Sequence, residues 1–309
     1  MVPLRIFGFR ALWSPYFMLT VVALVVLYYV VVIKGRHRFK DWEPATTREK
    51  VAFISSMILL YVVKGSPLDL LGHILFSVHM AQMALLLLAV APLLLIGIPN
   101  WIWRRVLATK GVGSFIRLMT KPVISLLVFS LMFSLYHYPY ILDTVKLSIP
   151  LHALFTMTLF LAALFLWWPI VHTVEGEPKL HGLKKILYVV LSAILITPAC
   201  TLIIFVDVPV YATYQSGEAW LQAMALCVPG GTLASLPPTI NGPELFTNIP
   251  VLYDQQLGGI IMKIMQELIY VFVIGRVFFV WYRDEQLRAD EITMDDLANR
   301  REMDRMMER

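Results

Sequence analysis

Charge is what this sequence has least of: Asp, Glu, Lys and Arg make up 15% of its 309 residues, against 59% hydrophobic. A soluble domain carries about a quarter charged residues, so that class is excluded and the chain belongs in a lipid bilayer. Cysteine is nearly absent. Cys200 and Cys227 are the only two, too few for a disulfide framework and spaced like no zinc motif. The sequence also lacks a P-loop, a His-Glu-x-x-His helix, a nucleophile elbow and a Gly-rich dinucleotide turn. Catalysis is therefore not indicated, and the expectation is a protein that is not an enzyme. No internal repeat, low-complexity tract or soluble domain interrupts the apolar runs. The net charge of +5 reports the distribution of basic residues about a membrane, so no nucleic-acid partner is expected.

What is present is a series of long apolar stretches. Six reach or approach the roughly 20 residues needed to cross the hydrocarbon core: residues 11–33, 70–98, 122–142, 151–171, 186–208 and 258–281. A seventh, 51–63, is short, but Lys50 and Lys64 flank it, and their long stems can snorkel to the interfaces. With seven spans, 20 Lys and Arg residues fall on one side and 4 on the other. The positive-inside rule then puts the N-terminus outside and the C-terminus in the cytoplasm. Arg5 and Arg10 ahead of the first run resemble a signal-peptide n-region. That run is too long for an h-region and lacks a small-x-small cleavage site, so it reads as a retained anchor. The fold class predicted is all-α: a polytopic membrane helical bundle of about seven spans over residues 1–281, with a charged cytoplasmic tail over 282–309.

The longest loop, 209–257, faces outside and carries Pro229, Gly230, Gly231, Pro237, Pro238 and Pro243. Within it, residues 216–227 read as a short interfacial helix capped by Ser216. A lid over an outer cavity and a plain connector are both open for this loop. The tail mixes nine acidic and six basic residues at helical spacing over 283–309, which reads as a solvated helix.

Ionisable residues inside spans are costly and commonly functional. His73 and His79 lie on the third predicted span, His137 near the end of the fourth shortly before Asp143, and His152 at the start of the fifth. At about 1.5 Å per residue, His73, His137 and His152 fall within roughly 10 Å of the outer boundary and His79 a little deeper. His172 lies near an inner end, and His37 and His181 sit in cytoplasmic loops. Met80 and Met83 are within a turn of His79, Met157 is one turn from His152, and Met262 and Met265 lie in the outer half of the last span. Imidazole with thioether suits copper, especially Cu(I). Methionine as ordinary filler and histidine as an inter-helix hydrogen-bonding partner remain open beside it. The candidate metal ligands are His73, His79, Met80, Met83, His137 and His152. Other intramembrane polar groups are Asp254 and the i,i+4 pair Lys263 and Glu267, which can neutralise itself on one helix face. Pro92, Pro139 and Pro198 would kink their spans, and a break at Pro139 would aim His137 inward.

Several segments together resemble the cytochrome c oxidase assembly factor CtaG family of Gram-positive bacteria. They are HILFSVHMAQMALLLLAVAPLLLIGIP in the third span, YHYP and Asp143 after the fourth, the stretch from His152 to WWP, and DQQLGGIIM from Asp254 to Met262. Members often carry a second histidine in an HMxQH pattern where this chain has Met83. The resemblance implies a multi-pass plasma-membrane protein needed to make active cytochrome c oxidase, acting through copper delivery to oxidase subunits. Self-association is not settled by the sequence. Two other classes compete: a haem-binding electron carrier, because bundles hold haem between facing histidines, and an ion or metal transporter using Lys263 and Glu267.

The topology is testable directly. A reporter fused after Arg309 should be active only in the cytoplasm, and a cysteine placed at Asn241 should react with an impermeant label in whole cells. A protected residue 241 would overturn the seven-span arrangement.

Overall fold

A backbone in lipid has no water to bond, so its polar groups must be satisfied within the chain, and among the described residues every regular element is helical. The computed structural model describes residues 2–35, 39, 42–235, 237 and 239–307. Arg36, His37, Arg38, Lys40, Pro238, Glu308 and Arg309 lie outside the described residues.

A 3-10 turn, Leu4–Phe7, leads into α1 (Gly8–Trp13), and Ser14 with φ 30° turns the chain into α2 (Pro15–Tyr28) and a π-helical stretch, Tyr29–Lys34. Next comes α3 (Thr47–Gly65), started by a capping box in which Thr46 Oγ1 accepts from the Glu49 amide and the Glu49 side chain from the Thr46 amide. Ser66 breaks it and caps α4 (Pro67–Ile74), and Leu75 in extended conformation separates α4 from α5 (Phe76–Leu85). A π turn, Leu86–Val90, passes into α6 (Ala91–Gly97). Short helices α7 (Asn100–Ala108) and α8 (Val112–Met119) turn the chain back into α9 (Pro122–Tyr136), followed by α10 (Pro139–Lys146), α11 (Ile149–Val171) and α12 (Leu183–Phe205). Two short helices, α13 (Glu218–Met224) and α14 (Gly230–Ala234), precede α15 (Val251–Met307).

Five helical runs are long and apolar enough to cross a membrane: Leu4–Lys34, Phe76–Gly97, Ile149–Val171, Leu183–Phe205 and Val251–Asp290. Two bent pairs bring the number to seven, α3 with α4 at 46° and α8 with α9 at 80°. The polytopic helical bundle is as expected, but its boundaries differ: Ser14 interrupts the first run ahead of α2, the stretch 186–208 ends at Phe205, and three further differences bear on the site. The stretch 70–98 is not one helix: Leu75 divides it, so His73 sits on α4 and His79 on α5. The stretch 122–142 stops at Tyr136, because Pro139 has no amide to continue the helix and instead starts α10. The helix expected over 216–227 is only Glu218–Met224; Ser216 donates its hydroxyl to Glu244 and does not cap, and Gly217 at φ 129° takes that place.

The main core joins α5, α6, α9, α11, α12 and α15 around Leu87, Phe129, Trp167, Ile196 and Met262, all at most 1% exposed. A second cluster, Phe7, Leu70, Ile74, Trp220 and Met224, ties α1 and α13 over α4. It marks the end of the bundle where the 209–250 segment gathers, called the loop end below. Close approach depends on two glycines. A Cβ at Gly97 would stand 2.6 Å from the Phe53 backbone of α3, and one at Gly72 would stand 1.8 Å from the Gln82 side-chain oxygen.

The break at Leu75 is held by Asp254 at the head of α15. Its carboxylate accepts from the Phe76 amide at 2.6 Å, from the Ser77 amide at 3.4 Å and from the Ser77 hydroxyl. Replacing Asp254 with Ala leaves the Phe76 amide unpaired in a buried setting, so thermal unfolding in mild detergent should show a loss of about 1–3 kcal/mol. An unchanged melting temperature would show that the break does not need this cap.

Candidate functional site

Three helix breaks at the loop end determine where the histidines point. His73 ends α4, His79 lies one turn into α5, His137 is the C-cap of α9, and His152 is in the first turn of α11. The four rings form two neighbouring pairs: His73 and His152 have centroids 5.6 Å apart, and His79 and His137 6.1 Å. His73, His79, His152 and Met83 line one small cavity with Val63, Lys64, Gln82, Leu86, Tyr136 and Thr156, with room for about one water molecule. His137 stands just behind it, beside Tyr136 at 5.0 Å between centroids.

The ring nitrogens are short of partners. His137 Nδ1 lies 2.8 Å from the Phe133 carbonyl. A carbonyl only accepts, so Nδ1 carries the proton and Nε2 presents a bare lone pair. That Nε2, His79 Nε2 and His73 Nδ1 are all buried without a hydrogen-bond partner. Zinc and copper ions bind imidazole nitrogens at about 2.0 Å, and the unpartnered nitrogens of the histidines around this cavity are chemically competent for that role. The donor set therefore fits a soft ion held by two imidazoles with Met83 beside them. Among the described residues, no group of three or more His, Cys, Asp or Glu side chains forms a ready metal centre. A closed tetrahedral zinc site is not what this pocket offers.

The methionines separate. Met83 faces the cavity. Met80 instead packs toward α15, where a Cβ on Gly258 would meet it at 3.1 Å, and Met262 and Met265 belong to the main core. Met157 is 61% exposed on the outside of the bundle. His172 stacks on Trp168 at the opposite end, with Nε2 on the Pro178 carbonyl. Lys263 and Glu267 pair at 2.6 Å, and Lys263 also donates to Thr197 at 2.9 Å. Asp254 caps α5 as described and does not reach the cavity lining.

The walls of the pocket contain residues that sequence reasoning passed over. Gln82 donates to the carbonyls of Val63 at 2.7 Å and Leu68 at 3.0 Å, closing the gap between α3 and α4. A segment of the long loop enters as a plug: Tyr211 donates to the His137 carbonyl at 2.7 Å and Tyr214 to the Gly72 carbonyl at 2.9 Å. Asp143 latches this plug, accepting from Ala212 and Thr213 amides at 2.9 and 3.0 Å and from the Thr213 hydroxyl at 2.7 Å. Lys146 is one of the four basic residues on the less basic side of the membrane. It is 1% exposed, has no hydrogen-bond partner, and sits 3.7 Å from the centre of the Tyr214 ring. Asp143 and Gln82 stood in the quoted family segments without a role, and for Tyr211, Tyr214 and Lys146 the sequence offered no signal beyond their presence between spans.

Fold and pocket together define a multi-pass helical membrane protein with clustered buried histidines, against which a segment of the long loop is anchored by Tyr211 and Tyr214. The chain belongs to the cytochrome c oxidase caa3 assembly factor family, Caa3_CtaG, whose sequence model matches residues 26–284. No curated protein and no solved structure matches it. Membership implies a membrane location with the oxidase as partner, in a family of assembly factors and not, as a rule, of catalysts. The match takes in all four clustered histidines, the plug and Lys146.

Lys146 provides a test of how tightly the pocket is sealed. Burial pushes its ammonium from 10.5 down to about 7, and Lys64 adds to the fall while Cys227, Asp143 and Asp69 oppose it. An unfolded lysine keeps its proton up to about 10.5 while the folded one releases it near 7. Between these values the unfolded state binds more protons, so stability rises with pH. Thermal unfolding in mild detergent should show a melting temperature that climbs from pH 7 to 9.5, and Lys146→Met should flatten the climb. A variant with the wild-type slope would show that water reaches Lys146.

Proposed function

We propose that this chain supports oxidase assembly by holding copper, as Cu(I), in the histidine pocket at the outer face of the plasma membrane and yielding it to the oxidase. The observation that carries this reading is the convergence of His73, His79 and His152 from three helices on one small cavity, with His137 of a fourth beside His79, three of the four having an unpartnered ring nitrogen. An unpartnered ring nitrogen is shared with His172 at the opposite end, so what supports the reading is the clustering of the pocket histidines and not the missing partners alone. Neutral imidazoles and a thioether are soft-to-borderline donors that select Cu(I) over harder ions. The copper is cargo here: the pocket needs to bind it and let it go. His137 supplies a preset lone pair, Met83 an adaptable one, and the tyrosine plug keeps out water and competing ligands. The placement outside follows from the 20-to-4 asymmetry of basic residues.

The haem reading has no support from the pocket, which has room for about one water and not for a macrocycle. The transport reading fares no better, because Lys263 and Glu267 are occupied with each other.

Metal analysis after purification in mild detergent is the deciding measurement. His79→Ala and His137→Ala should each lower copper affinity by roughly tenfold or more and reduce oxidase activity in cells, with the membrane level of the protein near normal. His172→Ala, at the opposite end, should change neither quantity. If all three variants behave alike, or if the pocket variants only reduce folded protein, the histidines are structural partners and the copper assignment is wrong.

A further inference from the structure

The Lys263–Glu267 pair lies on a face of α15 that looks away from the bundle. Glu267 has half its side-chain surface exposed, at 50%, and is flanked by Ile264, Leu268, Val271 and Phe272, all more than half exposed. It stands nine residues beyond Gly258, where the apolar stretch begins, which is about 14 Å along the helix. That is close to the middle of a hydrocarbon core about 30 Å thick. A carboxylate facing lipid at this depth is strongly disfavoured. Lys263 relieves only one of its two oxygens: the 2.6 Å contact is to Oε1, and among the described residues Glu267 has no other polar partner. Lys263 itself is also engaged with Thr197 of α12. The surface is therefore apolar, overall neutral, and carries one unused hydrogen-bond acceptor in the centre of the membrane.

From this we infer that the α15 face around Glu267 is an intramembrane docking surface for a transmembrane helix of the oxidase, one that carries a side-chain hydrogen-bond donor at mid-depth. Lipid tails offer no donor. A second copy of the chain related by a two-fold axis along the membrane normal would bring two like acceptors to the same depth, which is the wrong complement. A hydroxyl, amide or indole on a foreign helix satisfies the free oxygen, and such inter-helix hydrogen bonds are the usual adhesive in lipid. The partner's identity rests on the family assignment, whereas the surface does not depend on copper binding.

The test places a photo-crosslinking benzoylphenylalanine at Leu268 in cells that make the oxidase, with the same group at Leu131 on α9, 61% exposed, as the control. Crosslinks to an oxidase subunit should form from position 268 at least fivefold more than from 131. Glu267→Gln, which keeps an acceptor, should retain them. Glu267→Leu should reduce them at least fivefold, and so should Lys263→Met with Glu267→Leu, a double variant that leaves no charge unpaired and so guards against misfolding. Copper content is measured on the same preparations, and the docking variants should keep it. Wild-type protein without copper would sink the pocket reading and leave the crosslink result standing. Crosslinks to a second copy, to lipid alone, or undiminished in the double variant overturn the docking surface.

Discussion

Asp254 accepting the amide protons of Phe76 and Ser77 is the contact on which the arrangement of the loop end depends. Two residues whose backbone would otherwise be unpaired in an apolar interior are satisfied by a carboxylate from a helix nearly two hundred residues away in sequence. This fixes the head of α15 against the start of α5, and with it the direction in which His79 leaves α5. The same demand recurs at each neighbouring break. Gln82 answers the carbonyls freed where α3 gives way to α4, Tyr214 answers Gly72, and Tyr211 answers His137. A bundle of unbroken spans would have needed none of these polar side chains. The pocket exists because the helices stop short, and the groups that repair the stops are the ones that wall it.

How much of this was legible in the sequence follows from the range of each interaction. Span number and helical class come from local apolar length: residues 151–171 and 258–281 lie within helices α11 and α15, and 186–208 overruns the end of α12 by three residues. The gathering of four histidines at one end was readable from depth alone, since each was placed by counting residues from a boundary. What could not be read was anything that depends on partners distant in sequence. Leu75 is apolar and leaves no mark of a break; only Asp254, reached through the fold, makes its extended conformation affordable. Ser216 looked like a cap because capping is a local pattern, yet Glu244 competes for its hydroxyl. The methionines illustrate the same limit, because Met80 and Met83 are three residues apart and face different neighbours.

The charge pattern within the loop end deserves its own account. Lys64, which lines the cavity, is paired with Asp69 at 2.5 Å, while Lys146, outside that lining, is buried against the face of the Tyr214 ring. At pH values below about 7 the ammonium form is stabilised by the Tyr214 ring; above it, the neutral amine avoids the penalty of a buried charge.

The uninterrupted run of α15 over 57 residues has a mechanical meaning. At about 1.5 Å per residue it is a rod of about 85 Å, of which the last 26 residues beyond Trp281 stand clear of the apolar stretch. A straight helix transmits rotation and tilt along its axis far better than a jointed one. The residue that braces the histidine end, Asp254, and the charged segment at the far end therefore belong to one lever. No loop intervenes between the charged tail and the cap of α5: the two are joined by one continuous helix and the Asp254 contact at its head.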